Sequence, residues 1–167
     1  MISLRACDEF DALSVAELRA ASLVELALLP AGDVDAFVGS AARAFGRLFR
    51  SDRIAAWIAC DDERAVASAC AVFYDRLPYP DGSRHAEVCG VYVRPAYRRR
   101  GYASELVGEV VGSAQAAGAR KIFLRPAQGA KALYSRLGFR DTDLMTFVGA
   151  RERPQESGPI LAALARR

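Results

Sequence analysis

The stretch VRPAYRRRGYASEL, residues 93–106, has residue types suited to holding an anion. Four arginines, Arg94, Arg98, Arg99 and Arg100, lie within seven residues that contain no acid, although the net charge of the whole chain is only +3. Guanidinium groups present a fork of donors that matches phosphate. Gly101 follows directly, and glycine lets a ligand approach the main chain closely. The stretch therefore predicts a phosphate-binding turn.

Two other interpretations are open for the arginines taken alone. They could bind nucleic acid, or they could belong to a solvated surface turn. Nucleic-acid surfaces spread over a whole face with interleaved aromatic residues, whereas this cluster is local and the overall charge is modest. We therefore expect no nucleic-acid partner.

The composition bounds the class of protein. A chain of 167 residues with 52% hydrophobic and 26% charged residues corresponds to one globular domain. The segment MISLRACDEFD carries charges where a signal peptide needs an apolar core, and no apolar run approaches the ~18 residues of a membrane span. We expect a cytoplasmic protein with no membrane partner, and a homodimer is left open.

Four cysteines, Cys7, Cys60, Cys70 and Cys89, are widely spaced and form no CxxC pair. Each lies among apolar or small residues, which favours buried, reduced thiols over disulfides. His85 is the only histidine. No set of metal ligands results, so we expect no metal cofactor.

The first half of the chain predicts a strand, two helices and a hairpin. Residues 2–7 alternate in polarity as in a strand, and a helix follows with apolar residues at helical spacing: Phe10, Leu13, Leu18, Leu26 and Leu29. Asp33 is placed to cap a second amphipathic helix. The apolar runs 54–60 and 65–74 flank a DDE turn, which is typical of a hairpin.

The second half predicts strands that alternate with helices. We expect a loop over 77–83 and a strand over 85–93, which Pro95 ends, and then a helix over 102–117. A strand over 121–124, a short helix over 130–137 and a final strand region over 139–148 follow. This order indicates an α/β layered fold with added antiparallel pairing, as one domain over 1–148 and a tail over 149–167.

Two motifs resemble one known family. VRPAYRRRGYA, residues 93–103, resembles motif A of the GNAT superfamily, the acetyl-CoA-dependent N-acetyltransferases, with Arg98, Gly101 and Ala103 at its three fixed positions. ALYSRLGF, residues 132–139, resembles the end of the family's motif B at the expected distance. The resemblance implies a GNAT fold, with a mixed, mostly antiparallel sheet and helices on both faces.

The resemblance also implies where acetyl-CoA, the cosubstrate, would bind. Backbone amides of the turn would hold its pyrophosphate, and the splayed end of the preceding strand would hold the thioester carbonyl. The cofactor-binding residues it implies are Val91, Tyr92, Val93, Arg98, Arg99, Arg100, Gly101, Tyr102, Ala103, Ser104 and Tyr134. Ala127 stands where the family often has an asparagine, so one polar contact is missing.

By the same resemblance, two side chains are candidates for moving protons. Tyr134 would be the general acid near the coenzyme sulfur, although a tyrosine on an amphipathic helix can also be a core residue. Glu87, 11 residues before Arg98, would be a general base acting through water, or else a solvent-facing carboxylate. Cys89 as an acyl-carrying nucleophile is disfavoured because it has no suitable histidine partner.

The residues that would bind the acceptor are weakly specified. In the resembling family they lie on the first two helices and the loop before the central strand, which here offers Tyr79, Asp81 and Glu87 as amine contacts. The resemblance implies an N-acetyltransferase that transfers acetyl to a primary amine by direct attack in a ternary complex. A non-catalytic acyl-CoA-binding regulatory module is the alternative.

Overall fold

The computed structural model describes residues 1–78, 80, 84–127 and 129–142. In this part, strands β1 to β5 form one sheet in the order β1-β2-β3-β4-β5. Their bounds are Ile2–Ala6, Ile54–Asp61, Arg64–Asp75, Arg84–Val93 and Lys121–Leu124. The first four strands pair antiparallel, and β5 pairs parallel with β4. The mixed, mostly antiparallel sheet that the sequence predicted is confirmed.

Helices cover both faces of this sheet. Their bounds are Ala12–Glu25 for α1, Val34–Arg50 for α2, Tyr102–Ala116 for α3 and Lys131–Arg136 for α4. No helix in the described ranges has both the length and the apolar character of a membrane span.

One face of the sheet packs against α3. Leu106, Val107 and Val110 of the helix are fully buried in one cluster with alanines of β3 and β4. Small alanine side chains let the helix lie close to the strands, so dispersion contacts are dense there. The indole N–H of Trp57 on β2 donates to the hydroxyl of Ser113 on α3 at 3.0 Å, which fixes the helix along the sheet.

The opposite face packs against α1 and α2. Val15 and Leu18 of α1 are buried with Ile54 and Ile58 of β2, and Phe45 of α2 packs at the border of this second cluster. The two clusters place α1 and α2 on one side and α3 on the other. The predicted layered fold is therefore confirmed.

The apolar residues at helical spacing mark only part of the buried face of α1. Leu18 is completely buried, whereas Leu13 is 53% exposed, and Phe10, 87% exposed, lies before the helix begins. The other buried residues of the helix are Val15 and the small residues Ala12, Ala16, Ala20 and Ser22. Small side chains at these positions let α1 lie close to the sheet and to α2.

The other expected elements have small differences. The second helix begins after Asp33 as predicted, but the Asp33 side chain makes no capping hydrogen bond. Most of the predicted final strand over 139–148 lies outside the described residues, as does the whole tail over 149–167.

A charged pair holds the connection between β1 and α1. Arg5 donates two hydrogen bonds of 2.6 Å each to the carboxylate of Asp11, which also accepts the backbone N–H of Asp8 at 3.1 Å. These bonds lower the pKa of Asp11, since they stabilise its charged form. The side chain of Asp11 is only 10% exposed, so the pair is shielded on one side.

We expect Asp11→Ala to destabilise the fold by about 1–3 kcal/mol at pH 7, because charge-assisted hydrogen bonds and a backbone cap are lost together. The lowered pKa gives stability that is present above about pH 4 and lost as pH falls through the folded value. The cost of Asp11→Ala should therefore shrink at pH 3. Urea unfolding at both pH values measures it.

The control for this prediction is Glu9→Ala, which removes an exposed pair with Arg50 at 3.5 Å. We expect this change to cost less than about 0.5 kcal/mol. A cost for Asp11→Ala that is equal at pH 7 and pH 3 would contradict the electrostatic origin.

Candidate functional site

The turn that joins β4 to α3 holds its backbone in a conformation that few residues adopt. Arg99 has φ 63° and Gly101 has φ 92°, both in the left-handed region. The carbonyl oxygen of Gly101 accepts the N–H groups of Ser104 and Glu105 at 2.9 and 3.2 Å, which starts the helix. Glycine fits this position because it lacks the Cβ that makes the left-handed region costly.

The same turn leaves a run of backbone donors unused. The N–H groups of residues 99–103 donate to no acceptor within the described part of the chain. N–H groups at the start of a helix have no partner inside the helix, and the helix dipole adds positive charge there. Adjacent donors of this kind bind phosphate and other anions.

The side chain of Arg98 does not point to an open anion site but ties the turn to α1. It donates to both carboxylate oxygens of Glu25 at 2.7 and 2.6 Å, and its Nε donates to the carbonyl oxygen of Val93 at 2.9 Å. The hydroxyl of Tyr92 donates to Glu25 at 3.3 Å. The hydrogen bonds from Arg98 lower the pKa of Glu25, so this carboxylate is charged at neutral pH.

The other three arginines of the stretch differ in whether the protein itself engages their side chains. Arg94 is half-buried and donates to the carbonyl oxygen of Ala65 at 3.3 Å, so it is part of the structure. Arg99 and Arg100 are exposed, and neither pairs with a carboxylate among the residues that the structure describes. The guanidinium of Arg100 lies 5.7 Å from the ring centre of Tyr97. Arg99 and Arg100 are thus the two arginines left for a ligand.

A bulge interrupts β4 just before this turn. Cys70 pairs with Cys89 and Ser68 with Tyr92, so two residues of β4 face one residue of β3. Gly90 has φ 61°, and its carbonyl oxygen accepts the hydroxyl of Ser68 at 3.0 Å. Glycine adopts this positive φ at little cost, so Gly90 is the local sequence feature that permits the bulge.

The bulge changes which side chains face α3. Val91 and Val93 pack with the cluster on the α3 face, and Tyr92 packs with the cluster on the α1 face. Without the extra residue, side-chain alternation would turn each of them to the opposite face. The bulge therefore sets the face of the sheet on which each implied cofactor-binding residue lies: Val91, Tyr92 and Val93.

The end of β4 has an open edge on the β5 side. The parallel ladder ends where Val88 pairs with Leu124, whereas β4 continues to Val93. Residues 89–93 thus have no described strand beside them on that edge. Backbone N–H and C=O groups along such an edge can pair with the amide groups of an extended ligand.

A cavity of about 490 Å³ lies beside β5 and is lined by both proton-moving candidates, Tyr134 and Glu87. Tyr134 is 9% exposed and packs edge-on against Phe139 with ring centres 6.0 Å apart. Burial raises its pKa, so the hydroxyl stays protonated. That hydroxyl makes no hydrogen bond to any described residue. The hydroxyl is therefore free to donate to a ligand.

Glu87 reaches the cavity from the middle of β4. Its backbone pairs with Val72 on one side and Phe123 on the other. A carboxylate oxygen lies 3.7 Å from Nε of Arg125, and the Glu87 side chain is 41% exposed. The carboxylate is thus accessible and close to a cation.

The cavity is richer in cations than the sequence indicated. Its lining includes four cations and two acids: Arg76, Arg125, Lys131, Arg140, Glu87 and Asp141. Lys131 pairs with Asp141 at 2.7 Å. A surplus of positive charge therefore lines the space beside Glu87.

A second, smaller cleft of about 90 Å³ lies between the bulge and the two helices α1 and α2. It is bordered by Arg19 of α1 and by Cys89. Cys89 is exposed and Cys7 is half-buried, which corrects the prediction that all four cysteines are buried. Desolvation raises the pKa of the Cys89 thiol, so it is a poor nucleophile.

Two predicted acceptor contacts, Tyr79 and Asp81, lie outside the described residues. Among the residues that the structure describes, no cluster of histidine, cysteine, aspartate or glutamate could hold a metal ion.

Three residues near the site were not singled out from the sequence: Glu25, Arg125 and Arg19. Glu25 and Arg19 are far from the motifs along the chain, and no local pattern marks them. Arg125 had a usable signal, because it directly follows β5, the parallel neighbour of the strand that carries Glu87.

Solved structures with this architecture come from several organisms. A Clostridium acetobutylicum protein described as a predicted acetyltransferase, solved with acetyl-CoA, is 23% identical with a TM-score of 0.79 over 92% of this chain and 99% of that one. A GCN5-related N-acetyltransferase from Ralstonia eutropha is 18% identical with a TM-score of 0.74 over 90% and 99%. Glucosamine-6-phosphate N-acetyltransferase from Arabidopsis thaliana is 13% identical with a TM-score of 0.69 over 90% and 99%. These similarities show the fold.

The family itself is shown by sequence. No curated protein matches the chain. The sequence model of the acetyltransferase (GNAT) family matches residues 23–139, a span that includes the turn before α3, Glu87 and Tyr134. This match covers most of the chain and confirms the resemblance drawn from the two motifs: the chain belongs to the GNAT acetyltransferase family.

Proposed function

We propose that the protein transfers an acetyl group from acetyl-CoA to a primary amine by direct attack in a ternary complex. The observation that carries this proposal is the run of unused N–H groups over residues 99–103, set directly beyond the open edge of β4. A pyrophosphate on those donors places the extended arm of the coenzyme along residues 91–93. The arm would then lead toward the cavity that Tyr134 and Glu87 line.

The binding side chains divide into two groups in this proposal. Arg99 and Arg100 supply exposed cations for phosphate oxygens, and Ser104 offers a hydroxyl in the first turn of α3. Arg98 acts indirectly, because its guanidinium is engaged by Glu25 and by the carbonyl oxygen of Val93. Its role is to hold the turn in shape rather than to bind the phosphate.

The reaction needs a polarised thioester carbonyl, a proton donor for the departing sulfur and a neutral amine. The amine nitrogen attacks the thioester carbon, a C–N bond forms, the C–S bond breaks, and one proton moves from nitrogen to solvent while the thiolate gains another. Backbone N–H groups near the bulge at residues 90–93 would polarise the carbonyl. Tyr134 would donate its proton, or a strong hydrogen bond, to the departing sulfur.

The amine must be neutral when it attacks. An amine with a pKa of ~10.4 needs ~4.6 kcal/mol to lose its proton at pH 7, whereas an amine near 7.7 needs only ~1 kcal/mol. We infer that Glu87 accepts this proton through a water molecule, since its carboxylate is accessible in the cavity. The benefit from Glu87 is therefore largest for strongly basic acceptors.

The alternative function is a regulatory module that binds acyl-CoA without turnover. Ala127 in place of the family's frequent asparagine is the feature that favours it. Tyr134 and Glu87 on one cavity favour catalysis. The deciding experiment measures thiol release from acetyl-CoA with a panel of primary amines. Coenzyme binding together with no thiol release for every amine of the panel would support the module instead.

A pair of glycine substitutions tests the phosphate-binding turn. Gly101 and Gly118 lie at opposite ends of α3 with φ 92° and 85°, so alanine at either position incurs similar backbone strain of about 1 kcal/mol. We expect Gly101→Ala to weaken coenzyme A binding at least about 10-fold, because the donors around it shift. Gly118→Ala should leave the dissociation constant unchanged. Calorimetric titration with coenzyme A measures both, and equal affinities for the two variants would contradict the proposed site.

We expect Tyr134→Phe to lower kcat by roughly 10- to 10⁴-fold while coenzyme affinity and Tm change little. The substitution keeps the ring and its edge-on contact with Phe139 but removes the hydroxyl. Steady-state kinetics with thiol detection measure the effect.

Tyr97→Phe is the matched control for Tyr134→Phe. It removes a hydroxyl that donates to Asp61 at 2.8 Å, and neither residue lines the cavity. We expect its kcat to stay near wild type. Full activity in Tyr134→Phe would rule out its role as the acid.

Glu87→Gln should lower kcat/KM most at neutral pH and recover as pH approaches the pKa of the amine, because solution hydroxide then removes the proton. The deficit should also be smaller for amines of low pKa. Profiles of kcat/KM between pH 6 and about 10 for two amines of different pKa measure this. A deficit that is constant with pH would make Glu87 a substrate-binding residue instead.

A further inference from the structure

Arg19 differs from the other half-buried arginines in the described part of the chain. Arg84 donates to the carbonyl oxygens of Asp52 and Ala117 at 2.8 and 3.2 Å, and Arg94 donates to that of Ala65. Arg19 makes no hydrogen bond or ion pair with any described residue. A cation taken partly out of water without a partner costs free energy, so an external anion would be favourable there.

Three carboxylates, on α1, in the turn before it and on β4, are already committed, and the exposed Glu17, two residues before Arg19, makes no ion pair with it. Glu25, on the same helix, accepts two hydrogen bonds from Arg98, and Glu87, on the facing strand, lies beside Arg125. Asp11, before the helix, is held by Arg5. The protein therefore leaves the guanidinium of Arg19 available for a ligand.

Arg19 lies in the small cleft at the bulge of β4. The lining is otherwise neutral and consists of Val15, Phe45, Ser68, Cys70, Cys89 and Gly90. Both Arg19 and Glu87 act electrostatically on the thiol of Cys89, in opposite directions. Arg19 borders the same cleft as Cys89, and Glu87, two residues from Cys89, shares its face of β4.

This cleft is on the side from which an acceptor can reach the bulge. The opposite face is filled by α3, whose Leu106, Val107 and Val110 are completely buried. On the α1 and α2 face, Cys89 is exposed and the cleft lies open beside it. An amine that attacks near residues 90–93 from this side would therefore approach along the face of β4 that carries Glu87 and Cys89, beside Arg19.

We propose that Arg19 binds an anionic group of the acceptor, so that the substrate is a small primary amine that also carries a carboxylate or a phosphate. The inference rests on the proposed function, because it assigns the anion to the molecule that is acetylated. Glu87 and Cys89 are two residues apart on a strand, about 7 Å, which sets the scale of the distance between the amine and the anion. We therefore expect acceptors with several bonds between the amine and the anion to be better substrates than simple α-amino acids.

The experiment uses the full chain and matched pairs of amines. 4-Aminobutanoate is compared with 4-aminobutanamide, and 2-aminoethyl phosphate with 2-aminoethanol, so each pair isolates the anionic group. We expect kcat/KM to be roughly 10- to 100-fold higher for the anionic member in the wild-type protein, and this ratio to fall to near 1 in Arg19→Gln. Activity with the neutral members should not change.

Two further variants complete the design. Arg47→Gln removes the same charge from an exposed position on α2 and should keep the full preference, which controls for net charge. Arg19→Lys keeps the charge but not the fork of donors and should retain part of the preference. Circular dichroism and Tm establish that each variant is folded, and the lysine variant still tests the inference if the glutamine variant does not fold.

Calorimetric titration of the same amines, with coenzyme A saturating, separates the two proposals. Turnover with equal kcat/KM for both members of each pair would overturn the anion site and leave the acetyltransferase function standing. Binding that depends on Arg19 without any turnover would overturn the function and support the anion site. The absence of both turnover and Arg19-dependent binding would overturn both proposals. A preference for only the carboxylate or only the phosphate would identify the anionic group that Arg19 binds.

Discussion

The site depends on the fact that β4 is longer than the strand beside it. Parallel pairing requires a crossover, and here α3 begins within ten residues of the end of β4, so the start of the helix and the free edge of the strand are close together. The ladder to β5 ends at Val88, which leaves residues 89–93 able to pair with something other than protein. An extended ligand with a phosphate at one end fits both features at once. If β5 extended along the whole of β4, the edge would be filled and the donors at the turn would face only solvent.

An ion pair joins the turn that would hold the coenzyme to the helix that carries Arg19. Glu25 is the last residue of α1, and its carboxylate is held by Arg98 of the turn and by the hydroxyl of Tyr92 on β4. One carboxylate thus fixes the helix that carries Arg19 to the turn that would hold the pyrophosphate. Arg98 and Glu25 are each about 40% exposed, so their ion pair contributes little to stability. Its effect is to position the turn relative to α1.

What the sequence could predict depends on how far apart the interacting residues are along the chain. The turn at Gly101, the bulge at Gly90 and the order of strands follow from local signals: a glycine that can adopt positive φ, and apolar alternation. The buried face of α1 followed only in part, because helical spacing marks the buried Leu18 but also the exposed Leu13, and Phe10 lies before the helix begins. The ion pair of Arg98 was also hidden, since its partner Glu25 is 73 residues away. A motif identifies which residues belong to a site, but it does not show which of their donors and acceptors are already hydrogen-bonded within the protein.

The charges around the cavity bear on the protonation of the acceptor. A like charge disfavours the charged form of a group, so the cations Arg76, Arg125 and Arg140 oppose an ammonium ion next to them and favour the neutral amine that attacks. Glu87 alone would do the reverse and stabilise the ammonium form, which makes the amine harder to deprotonate. In the proposed reaction the two effects would oppose each other within one cavity: the carboxylate would attract the amine and accept its proton, and the cations would lower the cost of losing that proton. The same positive lining would disfavour acceptors with several amines and favour those with an added anion, which is the class of substrate proposed for Arg19.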